Sequence, residues 1–233
     1  MIAQNNSNQE QVLVVSSFYD LVNTEFSGKN NAINWQRNLI GDFEEIVNQL
    51  ILKDDITVIS VDDLNDLTLS DEGDKARNIL LNDLQELTDF GASPTLNLLK
   101  CYECDNEFDF ISTDVYSFHV DRSPIPTDTF LCTYYGAASD IVRNEDAKQK
   151  ILIPEIRAKL FDLYDGDIDG FDDFLKEYFF DLHYQINPDV KPINLGKGNL
   201  WRLAVDHPQQ KVFPCVHRAP KENKDEYRLL LIC

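Results

Sequence analysis

The chain has 233 residues, 41 of them acidic and 21 basic, for a formal net charge of −20. A surface so acidic repels any phosphate backbone or anionic membrane that binds through lysine and arginine, so neither is an expected partner. Hydrophobic residues at 43% and charged residues at 27% are ordinary globular usage, and the length suits one sizeable core, so a single domain over 1–233 is expected. The start, Met1 to Glu10, lacks the basic and apolar parts of a signal peptide, and no later apolar run reaches the ~18 residues of a membrane span, which points to the cytoplasm. Five cysteines, an odd number, fit reduced thiols better than a disulfide framework.

Residues 1–11 are polar and are expected to fray. Val12-Leu-Val-Val-Ser reads as a short buried strand, and Gly28-Lys-Asn-Asn as a loop. From Gly41-Asp42, the residues Phe43, Ile46, Val47, Leu50 and Ile51 recur at helical spacing, with Asp42 at the N-cap. Ile56-Thr-Val-Ile-Ser-Val is β-branched and strand-like, and a second helix is expected from Asp74 to Phe90, stopped by Gly91 and Pro94. After Pro94, β-type runs follow one another at Thr95–Cys101, Val115–Val120 and Thr129–Tyr135, the last ending at Gly136. A helical insert over about 150–190 comes next, with apolar spacing from Ile156 to Leu163 and from Phe171 to His183. The β-type runs return at Asn199–Val205, Lys211–His217 and Tyr227–Cys233. The pattern is α+β, with a mixed helical part over 1–94 packed on a β-rich part over 95–233. There is no internal repeat and no low-complexity tract.

In Phe118-His119-Val120-Asp121 the strand period of two sends His119 and Asp121 to one side and Phe118 and Val120 to the other. Two donors on one face can share an ion, and His217, at the end of Val212-Phe-Pro-Cys-Val-His, is placed to supply a third from a facing strand. Two histidines and one carboxylate leave open coordination positions, which suits ferrous iron that binds oxygen and substrate together.

The order His-x-Asp, a long gap, His, then Arg resembles the iron- and 2-oxoglutarate-dependent dioxygenases. That resemblance implies a cupin-like double-stranded β-helix (jelly-roll) core, Fe(II) on His119, Asp121 and His217, and hydroxylation of a small-molecule or protein substrate. It also implies that Arg228, eleven residues after His217, pairs with the far carboxylate of 2-oxoglutarate. A second resemblance is closer in residues. Asn34-Trp35-Gln36-Arg37, Phe118-His-Val-Asp-Arg122, Leu131-Cys-Thr-Tyr134 with Gly136, and Val216-His-Arg-Ala-Pro220 followed by Arg228-Leu-Leu-Leu are similar to blocks of the bacterial family DUF1826, a domain of unknown function. The chain departs from that family at Ala137-Ala-Ser-Asp-Ile and in the insert from about Asp146 to Pro192, which bears on the substrate side more than on the ligands. Tyr134, inside one of the shared blocks, joins Arg228 as a candidate cosubstrate contact, with core packing as its alternative.

Each of these residues has a plainer reading. His119 and Asp121 fit a strand end with a capping aspartate before Pro124, His217 fits a hydrogen-bonded histidine near Pro220, and Arg228 fits a core-edge arginine paired with a carboxylate. Cys215 shares the strand face of His217, which opens the alternative of a non-catalytic zinc-binding or sensing protein on the same scaffold. Cys101-Tyr-Glu-Cys104 is a lone C-x-x-C pair. Asp165-Gly-Asp-Ile-Asp169-Gly170 resembles the opening of an EF-hand calcium loop, but Lys176 stands where the bidentate glutamate belongs, so a solvated acidic turn is simpler. His183 and His207 join no constellation, and packing and turn formation account for them.

Overall fold

The computed structural model describes residues 11–233. The expectation of a frayed start falls outside these residues except at Gln11, which is buried and donates to the Val142 carbonyl at 3.0 Å. In chain order the elements are β1 (Val12–Val15), α1 (Phe18–Asn23), β2 (Ala32–Trp35), α2 (Phe43–Gln49), β3 (Ile56–Ile59), α3 (Val61–Asn65), α4 (Asp71–Phe90) and β4 (Thr95–Leu99). They continue with β5 (Asp128–Tyr135), β6 (Asp140–Ile141), β7 (Ala147–Gln149), α5 (Pro154–Leu163), α6 (Phe171–Glu177), β8 (Tyr184–Ile186), β9 (Ile193–Asn194), β10 (Leu200–Ala204), β11 (His217–Arg218) and β12 (Arg228–Ile232). The fold is mixed α+β.

Local chemistry explains where the helices begin and end. The Asp42 carboxylate accepts from the Glu45 amide at the start of α2, and the Ser70 hydroxyl accepts from the Gly73 amide at the start of α4, satisfying amides that the first turn leaves free. The α4 helix stops at Gly91, whose φ of 98° is the left-handed conformation that glycine adopts without strain. The expected helix from Phe171 to His183 ends at Glu177, because Phe179 takes a left-handed φ of 59°. His183 therefore follows a short 3-10 turn in extended backbone and is not on a helix.

Seven strands form one mostly antiparallel sheet in the order β1-β2-β10-β5-β12-β4-β3, with β1 and β2 as the parallel pair. Strands β11, β6 and β9 form a second, smaller sheet. Backbone bridges extend it beyond β11 to His119 and then to His183, which leads directly into β8 and its partner β7. The expected strands at 115–120 and 211–217 thus shrink to a few paired residues, in the second case because Pro214 has no amide to offer. Among the described residues no sheet closes on itself.

From β4 onward the chain alternates between the layers: β4 in the large sheet, His119 in the small, β5 in the large, β6 in the small. It then retraces the route in reverse through β9, β10, β11 and β12. Each segment of the return lies beside its counterpart, β12 on β4, His217 on His119, β10 on β5 and β9 on β6.

Strand alternation sorts the side chains into three cores. On the outer face of the large sheet, Phe130, Cys132, Tyr134, Leu229 and Leu231 pack against Ile46, Val47, Ala76, Leu80 and Leu87 of α2 and α4. Between the sheets, Leu99, Leu131, Leu203 and Leu230 meet Ile141 and Cys215. Phe118, Val120, Val142 and Val216 cover the outer face of the small sheet. The insert carries its own aromatic cluster around Phe171, Phe174 and Phe180. No helix among the described residues is long and apolar enough to cross a membrane.

Candidate metal centre

His119, Asp121 and His217 converge, each offering a ligand atom within 4.8 Å of the others, and among the described residues they are the one such group of three. The amides and carbonyls of His119 and His217 bond each other reciprocally at 2.8 Å, which sets the two rings side by side with centroids 4.5 Å apart. Asp121 closes the triangle, with Oδ1 3.9 Å from His119 Nε2 and Oδ2 3.6 Å from His217 Nε2. Two ligand atoms ~2.1 Å from one ion stand about 3 Å apart at a right angle and about 4.2 Å apart across it, and both separations, made by the two different oxygens of Asp121, fall between those limits.

The proton arrangement also suits an ion. His119 Nδ1 lies 2.7 Å from the Ser117 carbonyl and His217 Nδ1 lies 3.1 Å from the Cys215 carbonyl. A carbonyl only accepts, so Nδ1 carries a proton in each ring and Nε2, which faces Asp121, is the nitrogen available to a metal. Burial, helped by the neighbouring His217, pushes the His119 pKa down to about 4, so this imidazole is neutral at physiological pH. Burial alone would raise the Asp121 carboxyl, but His217, a 2.5 Å hydrogen bond donated by the Thr129 hydroxyl, and His119 outweigh it and hold the group below the usual carboxylate range. Arg122 anchors the next residue, pairing with Asp181 at 2.5 Å and with Asp206 at 2.8 Å.

Arg228 begins β12 on the inner face of the large sheet and is 1% exposed. Its Nη2 donates to the hydroxyls of Thr133 and Ser139, each at 2.9 Å, and its Nε is buried with no partner. Among the described residues no carboxylate pairs with it. Glu222 acts on it at longer range while accepting from the Tyr116 hydroxyl, and burial lowers the guanidinium pKa. The end of β5 comes this close because Gly136, at φ 82°, has no Cβ; one built there would stand 2.6 Å from the Tyr227 carbonyl oxygen. Thr129, Leu131 and Thr133 share one face of β5, so Asp121 and Arg228 are held by opposite ends of a single row, ~13 Å apart along the strand.

Tyr134 does not join this group. It faces the helices, donates to Asp83 at 2.5 Å and stacks on Phe43, because the strand period turns it away from Thr133. Its partner Asp83 is also paired with Arg37 at 2.7 Å, and all three belong to the packing between α4 and the large sheet. Cys215 faces the inter-sheet core, its thiol pushed up to about 12 by burial, and only its carbonyl serves the site. Cys101 and Cys104 are free thiols, and the Asp165–Gly170 stretch forms a loop and a 3-10 turn outside the metal-ligating group.

Comparison with protein-family models, curated proteins and solved structures returned no match.

Sequence reasoning missed two contributors. Thr129, which holds the Asp121 carboxylate, carried no signal beyond its place at the start of a strand. His183 stands beside His119 across the next bridge, with ring centroids 5.8 Å apart, and burial pushes its pKa down to about 3. No spacing rule links positions 119 and 183. A cleft of about 710 Å³ opens elsewhere, between the segments 136–140, 194–197 and 218–221, and is lined by neither the triad nor Arg228.

Proposed function

We propose that this chain is an Fe(II)- and 2-oxoglutarate-dependent oxygenase built on a cupin-like double-stranded β-helix. The palindromic alternation of segments between two facing sheets supports the fold reading, since two strands of one helix running antiparallel produce that order. The observation that carries the functional reading is a buried arginine without a carboxylate partner on the inner face of the large sheet, which faces the small sheet that carries the His-Asp-His triad. A desolvated guanidinium costs several kcal/mol unless an anion meets it, and a dicarboxylate reaching from the metal toward Arg228 supplies that anion.

The donor set fits ferrous iron: two imidazoles and one carboxylate, with coordination positions left open. When bound, the metal with 2-oxoglutarate and oxygen supplies the oxidising power that hydroxylates a carbon–hydrogen bond. The chain itself contributes orientation and dryness. The Ser117 and Cys215 carbonyls fix both imidazole tautomers, and Thr129 fixes the carboxylate. Arg228, with the Thr133 and Ser139 hydroxyls, receives the far carboxylate of the keto acid, while Leu131, Leu230 and Cys215 keep water from the space between the sheets. The likeness to the DUF1826 blocks belongs to this proposal, because the shared Phe118–Arg122 and Val216–Pro220 blocks contain the three ligands.

Anaerobic addition of Fe(II) and 2-oxoglutarate is expected to give a visible charge-transfer band that Arg228→Ala weakens and Asp121→Ala abolishes. A silent spectrum from folded wild-type protein refutes the oxygenase. Retained zinc in natively purified protein, with no keto acid turnover, favours the zinc-binding reading on the same three ligands.

A further inference from the structure

Three histidines stand in a row across the small sheet: His217, His119 and His183. Directly paired residues of neighbouring strands project to the same face, so His183 shares the side of the sheet that carries the metal ligands. Its backbone is firmly set, since the Leu182 carbonyl accepts from Val120 at 3.1 Å, the Tyr184 amide donates to Phe118 at 2.7 Å, and the His183 carbonyl accepts from the Lys150 amide at 2.8 Å. The residue is 5% exposed.

What distinguishes His183 from its two neighbours is its second nitrogen. In His119 and His217 a carbonyl two residues back fixes the Nδ1 proton. The equivalent carbonyl for His183, that of Asp181, accepts instead from the Gln149 side chain at 2.8 Å, and His183 Nδ1 is left buried without a partner. A buried polar atom with no partner costs about 1–3 kcal/mol, so this nitrogen is open to a partner that is not protein, either a water or a bound ligand. His183 stands outside the group whose ligand atoms lie within 4.8 Å of one another, so that partner is not the ion the triad shares. The partly buried ammonium of Lys150, bonded to Ser117 Oγ at 2.7 Å and to the Ser112 carbonyl at 3.1 Å, lies near enough to act on His183, as do the carboxylates of Asp105 and Asp114.

We propose that His183 hydrogen-bonds the small oxygen-donor or anionic ligand that completes the metal's coordination, without coordinating the metal. This rests on the metal reading above and makes His183 the residue that positions the exogenous ligand.

The test uses Co(II) and azide on the full chain. Wild type, His183→Phe and His183→Gln are each titrated with Co(II), then with azide, and followed by visible absorption. Co(II) affinity is expected to stay within about threefold across the series. Azide affinity should fall roughly tenfold in His183→Phe, the loss of one hydrogen bond, and recover in part in His183→Gln. Equal azide affinity in all three proteins overturns the proposal, as does a hundredfold loss of Co(II) affinity in either variant, which would make His183 a ligand. Failure of the wild type to bind Co(II) overturns the metal reading as well, so the two failures are distinguishable. Should His183→Phe not fold, the wild-type Zn(II) form still decides: azide must shift the His183 ring ¹⁵N resonances, and resonances that stay in place overturn the assignment.

Discussion

Replacing Arg228 with methionine separates a ligand-binding arginine from a structural one. Burying the guanidinium costs several kcal/mol, and its two hydrogen bonds to Thr133 and Ser139 return about 1.5–3 kcal/mol each. The two bonds offset only part of that cost because Nε has no partner, and methionine fills most of the vacated volume, so removing the charge should leave the metal-free fold no less stable, to within about 1 kcal/mol. For a chain of this size that is a melting shift of roughly 2–4 °C. An arginine held by a structural ion pair would instead cost about 3–5 kcal/mol on removal. Binding should behave in the opposite way. With Mn(II) standing in for Fe(II), 2-oxoglutarate affinity should drop at least ~100-fold, about 2.7 kcal/mol, because the carboxylate loses a two-pronged charged partner. Urea unfolding of the metal-free protein and calorimetric titration of the Mn(II) form measure the two effects. A loss of 3 kcal/mol or more in the first, with unchanged affinity in the second, refutes the reasoning.

Acid should weaken the metal-free fold through its histidines. His119 and His183 are depressed to about 4 and about 3, below the ~6.5 of an unfolded imidazole, so the unfolded chain binds more protons between those values. Their contribution is complete above pH ~6.5 and is lost as the pH falls toward 4, each ring contributing up to ~1.4 kcal/mol per pH unit. Urea midpoints at pH 7 and pH 5 should therefore separate more in wild type than in His183→Phe, and equal separations contradict the assignment. Tyr134→Phe removes the hydroxyl bonded to Asp83, which keeps Arg37, and should cost about 1–2 kcal/mol in urea while leaving metal and 2-oxoglutarate affinity untouched. A change in either affinity would return Tyr134 to the site.

The amino-acid order alone determined those parts of the fold whose causes are local. Asp42 and Gly91 mark helix ends because a side-chain oxygen and a missing Cβ act within one turn. The pairing of His119 with Asp121, and its separation from Phe118 and Val120, follows from the two-residue period of extended chain, and the core on the far side of the small sheet agrees. The same period, applied one strand later, would have turned Tyr134 away from Thr133, but the sequence did not say which face of that strand looked inward. That choice was made by α2 and α4, whose apolar stripes cover the outer face and carry Asp83 to the Tyr134 hydroxyl. Only the tertiary structure brought His217 to His119, set His183 on the other side and left Arg228 without a carboxylate. These facts concern residues far apart in the chain, whose meeting depends on how two sheets stack and which strands lie side by side.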